Sequence, residues 1–224
     1  MRDTTLIIPT LNEEKNIGPL LDLLQHLYPS LKILVVDDGS VDRTREIAHA
    51  HHIPVLDRSS ALVKGIAASV VDAATLVTTP TFMVIDGDFQ HPPEKIQEIY
   101  EQLKRAVLVI GKRVKIANAW PLHRRLMSFI ATFLGRLRLL NKPFRSVDIM
   151  SGFFGINTSL FKKTYDLHKL SYHLKGYKIL FMTLKYLPQE ISFIEVPYIF
   201  GDRKYGASKI NHQQIFIFFK SLFC

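Results

Sequence analysis

Cysteine is almost missing from this chain: Cys224 is the single one in 224 residues. An internal disulfide is therefore excluded, and a reducing compartment is expected. Long apolar runs are missing too. The longest, such as Ala106–Ile110 and Ile215–Phe219, fall far short of the roughly 18–20 residues that a bilayer-spanning helix requires. The chain opens directly into the strand-like run Thr4–Ile8, so no secretory leader is expected. The Gly-x-Gly-x-x-Gly phosphate fingerprint is absent, which argues against a nicotinamide or flavin enzyme. Acidic residues are absent over a whole region: between Gln102 and Val147 there are eleven Lys and Arg and no Asp or Glu. The overall excess, 29 basic against 20 acidic residues for a net charge of +9, is thus regional. Either a phosphorylated substrate, an anionic membrane or a polyanion accounts for it, or it is a solvated basic face.

What is present is enough for a core, since 47% of residues are hydrophobic, and disorder is excluded as the main description. Over the first 110 residues, short apolar strands (Leu6–Ile8, Ile33–Val36, Val55, Thr81–Ile85, Val107–Ile110) alternate with amphipathic stretches near 13–27, 43–51, 63–74 and 93–104. That alternation predicts βαβ units and a mostly parallel sheet. Such sheets bind ligands beyond the carboxyl ends of their strands. The segments to inspect are therefore Pro9–Glu14, Asp37–Ser40, Asp86–Gln90 and Gly111–Arg113. Past residue 115 the pattern changes to helices and irregular loops.

The segment Asp86-Gly87-Asp88-Phe89-Gln90 offers two carboxylates and an amide at alternate positions. Hard oxygen ligands of this kind suit Mg²⁺ or Mn²⁺ that shares its remaining ligands with a substrate's phosphates. A polar loop capping the helix that starts at Pro92-Pro93 would look the same. Asp37-Asp38-Gly39-Ser40 is by itself an ordinary turn sequence. Two more carboxylates on the same crevice could instead accept hydrogen bonds from a nucleoside.

Five segments in order resemble the family 2 glycosyltransferases of GT-A fold: Ile8–Glu14, Val36–Ser40, Asp86–Glu94, Ser151–Phe153 and Arg203–Lys209. Among them the chain is most similar to dolichyl-phosphate mannosyltransferases and related polyprenyl-phosphate sugar transferases. The resemblance implies an α/β, Rossmann-like GT-A domain over residues 1–210, with a nucleotide and metal half (1–115), an acceptor-side helical half (116–210) and an amphipathic membrane-proximal tail (211–224). It implies that Pro9, Leu11, Glu13, Val36, Asp37 and Asp38 hold the nucleoside. Asp86, Asp88 and Gln90 would bind Mg²⁺ or Mn²⁺, with Asp86 and Gly87 also at the donor diphosphate. Arg113, Arg124 and Ser128 would grip the sugar and the acceptor phosphate, and Lys178, Arg203 and Lys209 would close over the donor phosphates; Asp88, Arg124, Ser128 and Arg203 carry the chemistry. One departure is the stretch Leu62–Ala68, which has a single glycine, Gly65, where many relatives are glycine-rich.

The implied reaction is inverting transfer of a hexose, mannose from GDP-mannose, to a polyprenyl phosphate at the cytosolic membrane face. A UDP-sugar donor such as UDP-glucose is the alternative. The stretch His123–Leu140 reads as a basic amphipathic helix suited to a membrane interface or a core edge. Trp120 and Ile215–Phe219 with Lys220 would add interfacial anchors. Membrane recruitment would then come from this surface or from an anchoring subunit, unless the sequence is a truncated one. A non-catalytic nucleic-acid module is the rival class, but no helix-turn-helix, RNA-recognition sheet or zinc finger is visible. An inactive scaffold is opposed by the intact Asp88, Gln90, Arg124 and Arg203. The cluster His49, His51 and His52 is expected to be a solvated helix end, His91 to support the metal loop by orienting Gln90 or to be purely structural, and Phe153, Phe154, Phe161, Phe181 and Phe193 to fill the core.

Overall fold

The computed structural model describes residues 1–116, 122–176, 178–206, 217 and 219–222, with backbone alone considered at 116, 122–126, 145 and 146. Seven strands form one sheet: β1 (Thr4–Thr10), β2 (Lys32–Asp37), β3 (Val55–Asp57), β4 (Thr81–Val84), β5 (Leu108–Ile116), β6 (Phe154–Asn157) and β7 (Phe193–Phe200). Their spatial order is β3-β2-β1-β4-β6-β5-β7. The pairs β1/β2, β1/β4, β2/β3 and β5/β7 are parallel, and β6 runs antiparallel to both of its neighbours. The expectation of a mostly parallel sheet holds. The reading of the chain beyond 115 as helices and loops does not, because that part supplies β6 and β7. Phe154-Gly155-Ile156-Asn157 is too short an apolar run to declare a strand alone, and its pairing with both β4 and β5 is what makes it one.

Helices cover both faces: α1 (Glu14–Leu27), α2 (Thr44–Ala50), α3 (Ile66–Leu76), α4 (Ile96–Leu103), α5 (Leu122–Arg138), α6 (Thr158–His168) and α7 (Ile179–Tyr186). One core lies between the sheet and α3, α6 and α7, around Phe82, Phe154, Phe161, Phe181 and Leu184. The other lies under α1 and α4, around Leu6, Ile8, Leu20, Leu24 and Ile99. Of the phenylalanines expected inside, Phe193 alone is partly exposed, packed edge-on against Phe144. The described residues of the tail also join the core: Leu222 is buried, Lys185 Nζ donates to the Ser221 carbonyl at 2.8 Å, and Arg138 Nε donates to that of Leu222 at 3.1 Å. No described helix is long and apolar enough to cross a membrane.

All strands but β6 point the same way, so the carboxyl ends of β1, β2, β4, β5 and β7 share one edge of the sheet. The loops that follow them carry Asn12–Glu13, Asp37–Ser40, Asp86–Gln90 and Gly201–Gly206.

Candidate functional site

The corner after β2 is built around a carboxylate with no solvent contact. Asp37 accepts from Ser40 N at 2.8 Å, Gly39 N at 3.2 Å and Thr10 Oγ1 at 3.1 Å, and also from the Ser40 hydroxyl. Arg45 lies 3.7 Å from it. Both oxygens thus serve the turn, and Gly39, at φ 93°, provides the left-handed backbone that the turn requires. Asp38 points elsewhere. It accepts from Gly65 N at 2.6 Å and pairs with Arg58, a guanidinium only 4% exposed that also meets Asp72 at 2.8 Å, Ser69 Oγ at 2.9 Å and the Val63 carbonyl at 2.7 Å. Burial raises the Asp38 pKa against the opposing pull of Gly65 N–H and Arg58. Arg58 is a site residue that sequence reading missed; its signal was position, directly after the third strand. Val36 is buried near the end of β2 opposite Pro9 of β1, and Leu11, with Asn12 at φ 51°, opens the loop after β1.

Beyond β4 the chain makes a tight loop in which Phe89 has φ 66° and Gln90 N donates to Asp88 Oδ1 at 3.0 Å. Gly87 lies on Thr10 and Ile8, leaving a Cβ only ordinary contact distance. The loop is anchored from below by His91, whose Nδ1 accepts the Asp86 N–H at 3.2 Å. The imidazole is stacked on Phe153 and met edge-on by Tyr198 and Phe200. In that apolar cage burial drives its pKa down to about 3, so the ring is neutral, with its proton on Nε2. His91 therefore orients the backbone of Asp86, not Gln90. Gln90 reaches instead to the residue just past β7: its side-chain nitrogen donates to the Gly201 carbonyl at 3.2 Å, and Gly201 N returns a bond to the Gln90 carbonyl at 2.8 Å.

Asp86 and Asp88 are both held above the ordinary carboxylate range. For Asp86 burial is the main cause, offset by Lys178 and Arg203; for Asp88 burial is followed by repulsion from Asp86, with Arg203 opposing. Two mutually repelling carboxylates, Asp88 buried and Asp86 partly open to solvent, fit a cation. Among the described residues no group of three or more His, Cys, Asp or Glu could hold one by itself. The remaining ligands must then be neutral oxygens, such as the Gln90 amide, or come from a bound phosphate. Gly152 crowds this carboxylate: a Cβ there would stand 3.3 Å from Asp86 Oδ2 and 3.2 Å from His91.

Arg203 bridges two loops, with Nη2 2.7 Å from Asp88 Oδ2 and Nη1 3.1 Å from Glu13 Oε1. Asn16 Nδ2 holds the other Glu13 oxygen at 2.7 Å. Lys178 donates to the Met150 carbonyl at 2.6 Å beside Asp86. Arg113 emerges from β5 locked on Asp148, another residue the sequence reading passed over, with Nε 2.7 Å and Nη2 2.8 Å from its two oxygens. Ser128 is half-buried on α5, where its carbonyl accepts from Thr132. Arg124 belongs to the same helix, but its side chain lies outside the described residues, as do Lys209, Trp120 and 215–216. His51, of the histidine cluster, ends α2 against Asp22 at 3.1 Å, away from the crevice.

A family model described as glycosyl transferase family 2 matches residues 5–165. The chain is 32% identical to a dolichol-phosphate mannosyltransferase of Pyrococcus furiosus, an alignment taking in 98% of this chain and 62% of that protein. It is 30% identical to a dolichol-phosphate mannosyltransferase of Mycosarcoma maydis, over 97% of this chain and 77% of that one. With a polyprenol monophosphomannose synthase of Mycolicibacterium smegmatis it shares 29% identity, over 95% and 82%. The chain thus spans about three fifths of the Pyrococcus relative. Among solved structures it is similar to glucosyl-3-phosphoglycerate synthase of Mycobacterium tuberculosis, at a TM-score of 0.64 and 18% identity over 92% of this chain and 72% of that one. That enzyme was crystallised with Mn²⁺, uridine diphosphate and glucosyl-3-phosphoglycerate.

Proposed function

The chain belongs to glycosyl transferase family 2, and from that premise we propose that it moves mannose from GDP-mannose to a polyprenyl phosphate of the dolichyl type, with inversion. The relatives above are named for transfer of mannose to dolichol phosphate or polyprenol phosphate, and these supply the sugar and the lipid. The observation that carries the reading is the meeting of Asp86 and Asp88 with Arg203, Arg113 and Lys178 at one edge of the sheet. An acidic pair beside three cations is what two phosphorylated substrates require.

The acceptor needs no base. A phosphate monoester is almost doubly ionised at neutral pH, so its oxygen attacks the anomeric carbon directly while the bond to the nucleoside diphosphate breaks. A single displacement converts an α-linked donor into a β-linked product. What the protein contributes is charge management and placement of two anions that repel each other. Asp86, Asp88 and Gln90 would hold a divalent cation, Mg²⁺ or Mn²⁺. Bound there, it supplies positive charge to the leaving diphosphate. Arg203, which neutralises Asp88 in the structure, would exchange that carboxylate for the diphosphate when donor and cation arrive, joined by Lys178 and Lys209. Pro9, Leu11, Glu13, Val36 and Asp38 would frame the nucleoside, with Asp37 fixing the turn beneath it. Arg113, Arg124 and Ser128 would receive the acceptor phosphate. Residues 1–115 would thus supply the nucleoside and metal groups, while 116–210 would supply both acceptor groups and the cations that close over the donor phosphates.

The lipid would be met at α5 and the turn after it, where Phe129 (68% exposed), Phe133 (53%), Leu137 and, in the turn, Leu140 face outward beside Arg136 and Arg138. An apolar stripe bordered by arginines suits the cytosolic interface of an anionic membrane. The test is direct: purified protein with Mn²⁺ and dolichyl phosphate is given radiolabelled GDP-mannose or UDP-glucose. Lipid-linked mannose is expected; labelled lipid from UDP-glucose alone would change the donor, and none from either would remove the proposal.

A further inference from the structure

We infer that Asp148 is a positioning residue that aims Arg113 at the phosphate of the lipid acceptor, and that Glu195 holds Asp148 in place. The inference deepens the function proposed above and rests on it for the identity of the anion.

Strand β5 outruns β6. Ladder pairing between them covers Leu108–Ile110 and then stops. Gly111 N still donates to the Phe153 carbonyl at 2.8 Å. Two residues on, the Arg113 N–H has no strand to meet, and the Asp148 side chain takes its place: Oδ2 accepts that N–H at 3.1 Å. The same carboxylate takes Nε at 2.7 Å and Nη2 at 2.8 Å. One acidic residue therefore fixes the backbone and the side chain of Arg113 together. The fork uses two of the five N–H groups of a guanidinium. It leaves the Nη1 edge, the geometry that grips a phosphate with two parallel bonds.

Asp148 does not stand alone. Its own N–H donates to Glu195 Oε1 at 3.1 Å, and the other Glu195 oxygen pairs with Lys112 at 2.8 Å. Strand alternation sends Lys112 and Arg113 to opposite faces. Glu195 on β7 and Asp148 on the 147–153 connection therefore clasp β5 from both. The ladder between β5 and β7 slips between Arg113 and Lys115, and a bulge of this kind re-aims the side chain beside it. Phe200 lies 5.7 Å from the guanidinium carbon. An arginine constrained by a fork, a backbone bond and an aromatic face has lost its rotamer freedom before any ligand arrives, which is how a site gains affinity without another contact. Asp148 is also the first acid after the acid-free stretch that begins at Gln102; it stands where the charge pattern breaks.

The experiment measures binding. A short, water-soluble isoprenyl monophosphate is titrated calorimetrically into protein saturated with GDP and Mn²⁺, for wild type, Asp148→Asn, Arg113→Ala and the double variant. Asp148→Asn should weaken the isoprenyl phosphate by roughly 10- to 100-fold, the size of one lost hydrogen bond to a charged group. The double variant should bind no more weakly than Arg113→Ala, because Asp148 acts through that arginine. Affinity for GDP with Mn²⁺ should stay within about twofold in Asp148→Asn, which a general loss of structure would not allow. Additive losses, wild-type affinity in Asp148→Asn, or a wild type that does not bind the isoprenyl phosphate would each overturn the inference. Should Asp148→Asn fail to fold, Glu195→Ala takes its place, with a smaller loss of the same kind expected and an unchanged affinity counting against it. A wild type that shows the expected pattern of binding but transfers no sugar would remove the proposed function and leave the role of Asp148 standing.

Discussion

Helices α1 and α5 are both amphipathic, yet they treat their apolar residues in opposite ways. In α1, Ile17, Leu20, Leu21 and Leu24 are all buried without solvent contact. In α5, Ala131 is buried while Phe129, Phe133 and Leu137 are exposed. The cause lies in what each helix rests on. Gly135 brings α5 so close to the core that an added Cβ would collide with Ile149 Cδ1, so the narrow face with the small residue goes inward and the bulky one outward. Large apolar side chains on an outward face are uncommon without a partner. The contrast separates a helix that completes the protein's interior from one that presents a surface, and each side of it can be tested.

The largest effect should come from the inward-facing crevice. Asp88→Asn should lower kcat/KM for sugar transfer by roughly 10³-fold, as expected when a preorganised charge is removed from the reacting groups. Vesicle binding should stay the same, because α5 is untouched; parallel loss of both would merge the two regions. Next is His91. Its folded pKa of about 3 lies below its ordinary 6.5, so the unfolded chain takes up the proton first. Stability is complete above about pH 6.5 and drains away as pH falls toward 3, on the order of 4 kcal/mol at the end of that range. Denaturant titrations of the metal-free protein should show this acid limb flattened in His91→Gln and intact in Phe133→Ser. A limb of equal slope in both proteins would show that the histidine is not held neutral. The smallest effect belongs to α5: Phe129→Ser with Phe133→Ser should reduce binding to anionic vesicles about tenfold, in line with losing part of two aromatic side chains' transfer energy, while soluble-substrate binding and melting are unchanged. Unaltered vesicle binding would leave the exposed stripe without its proposed partner.

Periodicity made the first part of the fold legible. Strands β1, β2 and β4 and helices α1 and α4 follow from short apolar runs alternating with amphipathic ones, with boundaries moved by only a few residues. Strand β6 was hidden because a four-residue run surrounded by loops gains its identity from the neighbours it meets. The acidic loops were visible for a similar local reason: Asp86-Gly87-Asp88 carries its chemistry within three residues. Partnerships across the chain were not. Nothing in the spacing says that Arg203 will reach Glu13, or that Asp148 will take Arg113, since these contacts are set by how the strands stack. Arg58, a buried cation among four polar partners, was equally obscure, and so was the aromatic cage around His91, because sequence records residue type and not enclosure.

The position of β6 has a consequence for how the molecule comes into being. Strand β4 binds β1 on one side and waits on the other for Phe154–Asn157, which register with Val84–Thr81. As the chain leaves the ribosome, that flank, with Phe82 and Met83 at its centre, stays bare until everything through Asn157 has been made. Non-local pairing of this sort is slow, and naked strand margins invite association with strangers. Nascent chains halted before β6 should therefore be sticky and dependent on chaperones, and the insertion of one short reversed strand would be the event that makes the sheet safe.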